Sequence, residues 1–103
     1  MSKGTKSDSE KPQINLIPRE ALEGMAKAFM YGAGKYGRFN FKNGLEYTRL
    51  TDATMRHIIQ FLDGEDIDVE SGNSHISHAL ASLAMLAYMI ENKPDFDNRW
   101  KAE

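Results

Sequence analysis

"YGAGKYGRFNF", residues 31–41, fits either a strand–turn–helix or a helix followed by a loop, and the two belong to different fold classes. Gly32, Gly34 and Gly37 spell G-x-G-x-x-G, which would open a dinucleotide-binding βαβ unit. That fingerprint has mechanical meaning only between a strand and a helix, with an acidic residue about 20 positions on. The residues before it have a different rhythm. Ala21, Leu22, Met25, Ala26 and Phe29 recur at helical spacing, and nothing around them reads as a βαβ unit. "GAGKY" also lacks the Ser or Thr that a phosphate-binding P-loop needs after its lysine, since Tyr36 stands there. The glycines therefore read as the end of a helix and the start of a loop, in an all-α chain.

The first helix is expected to begin at Pro18, a favoured first helical residue, with Glu20 in the turn where the helix dipole favours a negative charge. It should end before Gly32 or Gly34. A loop over 34–45 is long for so small a domain, and long ordered loops usually carry function. A second helix is expected from about Tyr47 to Leu62, with Gly64 ending it. Leu50, Ala53, Thr54, His57, Ile58 and Phe61 share one stripe of it. After an acidic loop, a third helix is expected from about Ser74 to Glu91, capped by Asn73 or Ser74 and stopped by Pro94. Its Leu80, Ala81, Leu83, Ala84, Leu86, Ala87 and Ile90 go nearly all the way round, which calls for burial on several sides. A three-helix bundle completed by association with further copies of the chain answers that demand. A terminal turn docking Phe96 and Trp100 is expected to follow.

The 103 residues suffice for one domain, and the division expected is an unstructured arm over 1–11 and a single helical domain over 12–103. With 13 basic and 15 acidic residues, the net charge of −2 argues against a dedicated binder of duplex nucleic acid. The absence of cysteine excludes disulfides, thiolate catalysis and Cys-type zinc sites. The polar opening lacks the apolar core of a signal peptide. The longest apolar-leaning run, residues 79–90, falls well short of the ~20 residues that span a bilayer. The reading is a soluble, cytoplasmic chain without a membrane partner.

Chemistry gathers in two places. In the glycine-rich stretch, backbone N–H groups at Gly32 and its neighbours can approach an anion closely, and Lys35 and Arg38 supply charge for a phosphate. Tyr36, Phe39 and Phe41 offer flat faces for a base, and Asn40 offers a donor and an acceptor on one amide. The plain alternative is a helix cap followed by a loop pinned by aromatics. The second place is histidine-bearing. His75 and His78 share a face at the start of the third helix, and His57 on an antiparallel second helix can reach the same cleft. Glu65, Asp68 and Glu70 lie between. Imidazoles and carboxylates together suit a transition metal or proton transfer near phosphate, and the plain alternative is capping and ordinary hydrogen bonding. Glu20 with Glu23 and Glu65 with Asp68 form two short acidic pairs of the kind that holds Mg²⁺ against a pyrophosphate, although the helix dipole already accounts for the first. The acidic loop is no EF-hand, because counting from Asp66 puts Ser71 at the required glycine and Ser77 at the required glutamate.

Several separated elements point together: the K-P…L-x-P opening, G-A-x-K-Y-G-x-x-N plus an aromatic, R-H, G-E-x-x-D-x-E-S-G and H-x-x-H-A, spread over Lys11 to Leu86. They resemble the N-terminal domain of phage and bacterial dATP/dGTP diphosphohydrolases, a group related to the all-α MazG-like nucleotide pyrophosphohydrolases. The resemblance picks out Gly32, Ala33, Lys35, Tyr36, Gly37, Asn40, Arg56, His57, Glu65, Asp68, Glu70, Gly72, His75 and His78. It departs at Phe41, where tryptophan is usual, and at H-x-x-H where MazG-like enzymes carry acidic ligands.

The resemblance implies a purine (deoxy)nucleotide-binding protein that releases monophosphate and pyrophosphate with Mg²⁺ or Mn²⁺, in the host cytoplasm for a phage-encoded chain. Lys35, Arg38 and Arg56 would hold phosphates, with Gly32, Tyr36, Asn40 and Phe41 around base and sugar. His57 and Glu65 are the candidate catalytic pair, and Glu65, Asp68, His75 and His78 the candidate metal ligands. Two other functions fit the same residues. One is a non-catalytic sponge for a nucleotide immune signal, a cyclic dinucleotide or an ADP-ribose derivative, which would inhibit host antiviral defence. The other is a helical assembly module.

Overall fold

The computed structural model describes residues 4–103. Among them the chain forms three α-helices, α1 (Arg19–Tyr36), α2 (Tyr47–Leu62) and α3 (His75–Asn92), with short 3-10 turns at Ile14–Leu16, Asn40–Asn43 and Pro94–Phe96. No strand forms among the described residues beyond an isolated antiparallel bridge between Ile67 and Ser74. The fold is the expected all-α small bundle. Of the expected arm, residues 1–3 lie outside the described residues, and residues 4–13 are exposed, with one turn closed by Lys11 N–H on the Asp8 carbonyl.

Helix α1 departs most from its expected limits. Pro18 stands just before the helix, and the helix runs through Gly32 and Gly34 to Tyr36. Neither glycine has a neighbour within van der Waals reach of an added Cβ, so nothing there forces a turn. Gly37, at φ 97°, supplies the stop, and its N–H closes on the Ala33 carbonyl at 2.9 Å. The connector to α2 is shortened accordingly. Phe39 in it is held left-handed at φ 61°, unusual for an aromatic residue and costing about 1–3 kcal/mol.

Helix α2 occupies its expected span, but its first turn is secured from a distance. Glu46 makes no side-chain cap. Instead the Thr48 N–H donates to the Asn98 side chain at 3.0 Å, and the Asn98 amide donates to the Glu46 carboxylate at 2.9 Å. The C-terminal tail thus satisfies an orphan N–H at a helix start. Helix α3 is capped as expected, Ser74 Oγ accepting from Ile76 N–H at 3.0 Å.

Helix α3 is central, with α1 and α2 packing chiefly against it rather than against each other. Tyr47, Leu50 and Met89 form the buried cluster at the far end, with Phe41, Leu45, Met85, Leu86, Tyr88 and Phe96 around them. The Tyr47 hydroxyl donates to the Met89 carbonyl at 3.4 Å, and the Leu45 N–H points at the Met89 sulfur. Phe96 docks here as expected. Trp100 does not: it is 88% exposed, and the tail is held instead by Phe96, by Asn98 and by Arg99, whose guanidinium lies 5.6 Å from the Tyr47 ring. Helix α3 also keeps one bare stripe. Ile76, Leu83 and Ile90, seven residues apart, are each at least 39% exposed.

Gly44 adopts φ 118°, and a Cβ there would run into the Phe96 ring. Gly44→Ala is expected to lower stability by about 1–3 kcal/mol. Gly34→Ala, at an exposed helical site with open space around it, is expected to raise it by up to about 1 kcal/mol. Urea denaturation of the two variants checks both signs.

Candidate functional site

Because α1 and α2 flank α3 without closing on each other, a cleft of about 1000 Å³ opens between them. One wall is the end of α1 with the connector, from Ala28 through Gly32 and Tyr36 to Lys42. The opposite wall is α2, through Arg49, Ala53, Arg56 and His57. Asp68 and Glu70 come from the acidic loop, and His78, Ala81, Ser82 and Met85 of α3 form the floor. The glycine-bearing stretch and the histidine-bearing helix start therefore face one cavity within one chain.

The acidic loop is held by its own hydrogen bonds. The Asp68 N–H donates to the Asn73 carbonyl at 2.8 Å, and its carboxylate accepts from the Ser71 N–H at 3.0 Å. The His75 N–H donates to the Asp66 carbonyl at 3.0 Å, bringing the loop back to the start of α3. This fold separates residues that are close in sequence. Glu65 turns to His75, with Oε2 3.0 Å from Nε2, while Asp68 turns to His78, with Oδ2 3.8 Å from Nε2.

His57 joins the two sets. Its Nδ1 lies 2.8 Å from Nδ1 of His75, and its ring stacks on His78 at 4.8 Å between centroids and 14° between planes. His75 is fully buried behind the cleft wall. Burial, and then the neighbouring imidazoles, push the His57 pKa down from the ordinary value. Burial does the same to His78, against the opposing pull of Asp68. Two stacked imidazoles at this distance stay together most readily when neutral.

The expected metal set is divided by this arrangement. Glu65 and His75 form one pair and Asp68 and His78 another. His75 has both ring nitrogens engaged, and His78 Nε2 lies 2.6 Å from Ser71 Oγ. Among the described residues no three His, Asp or Glu side chains are grouped to hold a metal ion. The donors present do not fit a protein-held metal, because they are spent on one another.

The expected phosphate and base groups are redistributed as well. Lys35 is at the rim, and its ammonium donates to Glu70 Oε1 at 2.7 Å. Glu70 also accepts from the Tyr31 hydroxyl at 2.8 Å, and these bonds hold its carboxyl below the usual carboxylate range. The pair is solvent-exposed, so Glu70 is the partner of Lys35 in the unliganded cleft. Phe41 packs edge-on between Phe29 and Tyr88, with centroids at 5.5 and 5.4 Å, and serves as wall. Tyr36, Phe39 and Asn40 keep exposed surface in the cleft. Arg38 lines the cleft too, its guanidinium 5.7 Å from the Phe39 ring, and Gly32 leaves the α1 wall bare. Arg56 is exposed along the opposite wall.

Arg49 and Ser71 escaped the sequence reading. Arg49 sits seven residues before Arg56, two helical turns along the same face of α2, and that spacing was the available signal. No carboxylate lies within ion-pair distance of either arginine among the described residues. Nothing in the sequence singled out Ser71 as a partner for His78.

With folded-state pKa values depressed below the unfolded value of 6.5, His57 and His78 favour the folded chain fully above that pH. This contribution is lost as pH falls through the lower, folded-state values. A Tm series from pH 8 to pH 5 is expected to decline below about 6.5, and His57→Gln with His78→Gln to flatten that decline.

The chain matches the family described as "dATP/dGTP diphosphohydrolase, N-terminal" over residues 1–99. A protein of Salmonella phage PMBT28 named dATP/dGTP diphosphohydrolase is 36% identical over 100 residues, covering 96% of this chain and 34% of its own length. The chain thus spans about a third of that relative's length. No solved structure gives a significant match. A family match over residues 1–99, together with 36% identity to the phage relative over 96% of the chain, makes it a member of the dATP/dGTP diphosphohydrolase N-terminal domain family.

Proposed function

We propose that the cleft binds a purine (deoxy)nucleotide and hydrolyses a nucleoside triphosphate to monophosphate and pyrophosphate. The observation that carries this reading is the opposition of two walls. Exposed aromatic faces and an amide, from Tyr36, Phe39 and Asn40, stand across from the unpaired guanidinium groups of Arg49 and Arg56. Flat rings suit a base, and forked guanidinium groups suit phosphates. The imidazoles of His57 and His78 line the same cleft as the arginines and offer a proton acceptor for water. The name of the phage relative supports the substrate class. Mg²⁺ or Mn²⁺ would enter on the phosphate chain, since such ions are commonly held by substrate phosphates rather than by all-protein cages.

A second reading is favoured by one observation, the absence of a three-donor metal set among the described residues. The cleft would then retain a nucleotide signal without cleaving it. The two readings differ in what leaves the protein. Incubation with dGTP or dATP and either cation is expected to yield monophosphate and pyrophosphate in equal amounts. Intact nucleotide recovered from the denatured protein, with no product formed, would sink hydrolysis and support retention.

Arg49→Gln and Arg56→Gln are each expected to weaken nucleotide binding about tenfold or more, with a shallower salt dependence, in calorimetric titrations. Unchanged binding in both, and in Asn40→Ala, would leave assembly as the function. The bare stripe of Ile76, Leu83 and Ile90 supports association of further copies in any of these readings, and light scattering on the purified chain measures it.

A further inference from the structure

We propose that Glu65 and buried His75 are positioning residues that lock His57 in one tautomer, leaving its Nε2 lone pair as the proton acceptor of the cleft. One chain of hydrogen bonds links Glu65, His75 and His57. A carboxylate only accepts, so the 3.0 Å contact between Glu65 Oε2 and His75 Nε2 places a proton on that nitrogen. A neutral His75 then has a bare lone pair at Nδ1. The 2.8 Å contact between the two Nδ1 atoms needs one proton, and it must come from His57. His57 is thereby protonated at Nδ1 and unprotonated at Nε2.

The free nitrogen faces accessible space. His57 lines the cleft, whereas His75 is fully buried. Every buried side-chain nitrogen or oxygen among the described residues has a partner. No protein group bonds His57 Nε2, so that atom is reachable by water or ligand.

The chemistry rests on the hydrolytic reading above, but the tautomer does not. In that reaction His57 Nε2 takes a proton from water as the water oxygen bonds to the α-phosphorus. The α–β bridging P–O bond breaks, and pyrophosphate leaves with its electron pair. The imidazolium so formed keeps its Nδ1–H on His75, whose other side faces the Glu65 carboxylate. The arrangement is a carboxylate–imidazole–imidazole relay in which only the last member meets substrate.

Glu65→Gln is the decisive variant. The amide is nearly isosteric, yet its N–H can donate to His75 Nε2. Its carbonyl can still accept as well, so the one-way bias of the carboxylate is lost and the Nε2–H tautomer of His57 becomes accessible. Two-bond ¹H–¹⁵N spectra of the labelled full chain at neutral pH report each tautomer directly, and three histidines make assignment by single substitution practical. The expected result is an Nδ1–H His57 and an Nε2–H His75 in the native chain, with both His57 tautomers populated in Glu65→Gln. Turnover of the same variant should fall about a hundredfold or more with nucleotide affinity within about twofold. A native His57 carrying its proton on Nε2, or a doubly protonated His75, overturns the proposal. So does Glu65→Gln leaving the His57 tautomer unchanged, or shifting it while turnover is unchanged. Native tautomers as expected in a chain that cleaves no nucleotide would uphold the lock and defeat the hydrolytic reading instead.

Discussion

His57 sits with one ring nitrogen on His75 and its face on His78, and the rest of the site depends on that contact. It joins α2 to the start of α3 at the floor of the cleft. Charge repulsion between adjacent imidazolium rings would oppose it, so the site's geometry and its neutrality require each other. The Glu65 carboxylate behind His75 gives the chain of bonds a direction, which identical imidazoles alone would lack.

The cleft itself is a consequence of helix count. Three helices with α3 in the middle leave the two outer ones apart over part of their length. In a four-helix arrangement that gap would be core. Here it is lined with small residues, Gly32, Ala33, Ala53 and Ala81, that leave room, and rimmed by long polar ones. The same shortage of cover leaves the Ile76, Leu83 and Ile90 stripe bare. The far end, where Tyr47, Leu50 and Met89 are buried, carries the stable packing. The cleft adjoins that packing, since Leu50 of the cluster and its neighbours Phe41, Leu45 and Met85 also line it.

Charge at the rim follows from what each group already touches. Lys35 faces Glu70 and Tyr31, so its ammonium closes the loop against α1. Arg49 and Arg56 have no such neighbour, and a desolvating cleft favours guanidinium groups for this position because they are weakly hydrated and bind two oxygens at once. Phe39, forced left-handed in the connector, keeps an aromatic face at the mouth at a conformational cost.

The helices were legible in the residue pattern, α2 to the residue and α3 to within one, because a cap, a periodic apolar stripe and a glycine or proline stop are local signals. The end of α1 is less legible, because Gly32 and Gly34 look like stops, whereas of these three glycines Gly37 is the one with a positive φ. The gathering of Gly32, Tyr36, Asn40, Arg56, His57, Asp68 and His78 at one cavity was likewise foreshadowed by residue type and spacing. Tertiary structure alone decided who pairs with whom. The sequence neighbours Glu65 and Asp68 part to different histidines, Lys35 goes to Glu70 rather than to open space, and Arg49 and Ser71 enter the site unannounced. Periodicity states which face a side chain occupies. It does not state what the facing element brings within three ångströms, and hydrogen-bond chemistry is settled at that distance.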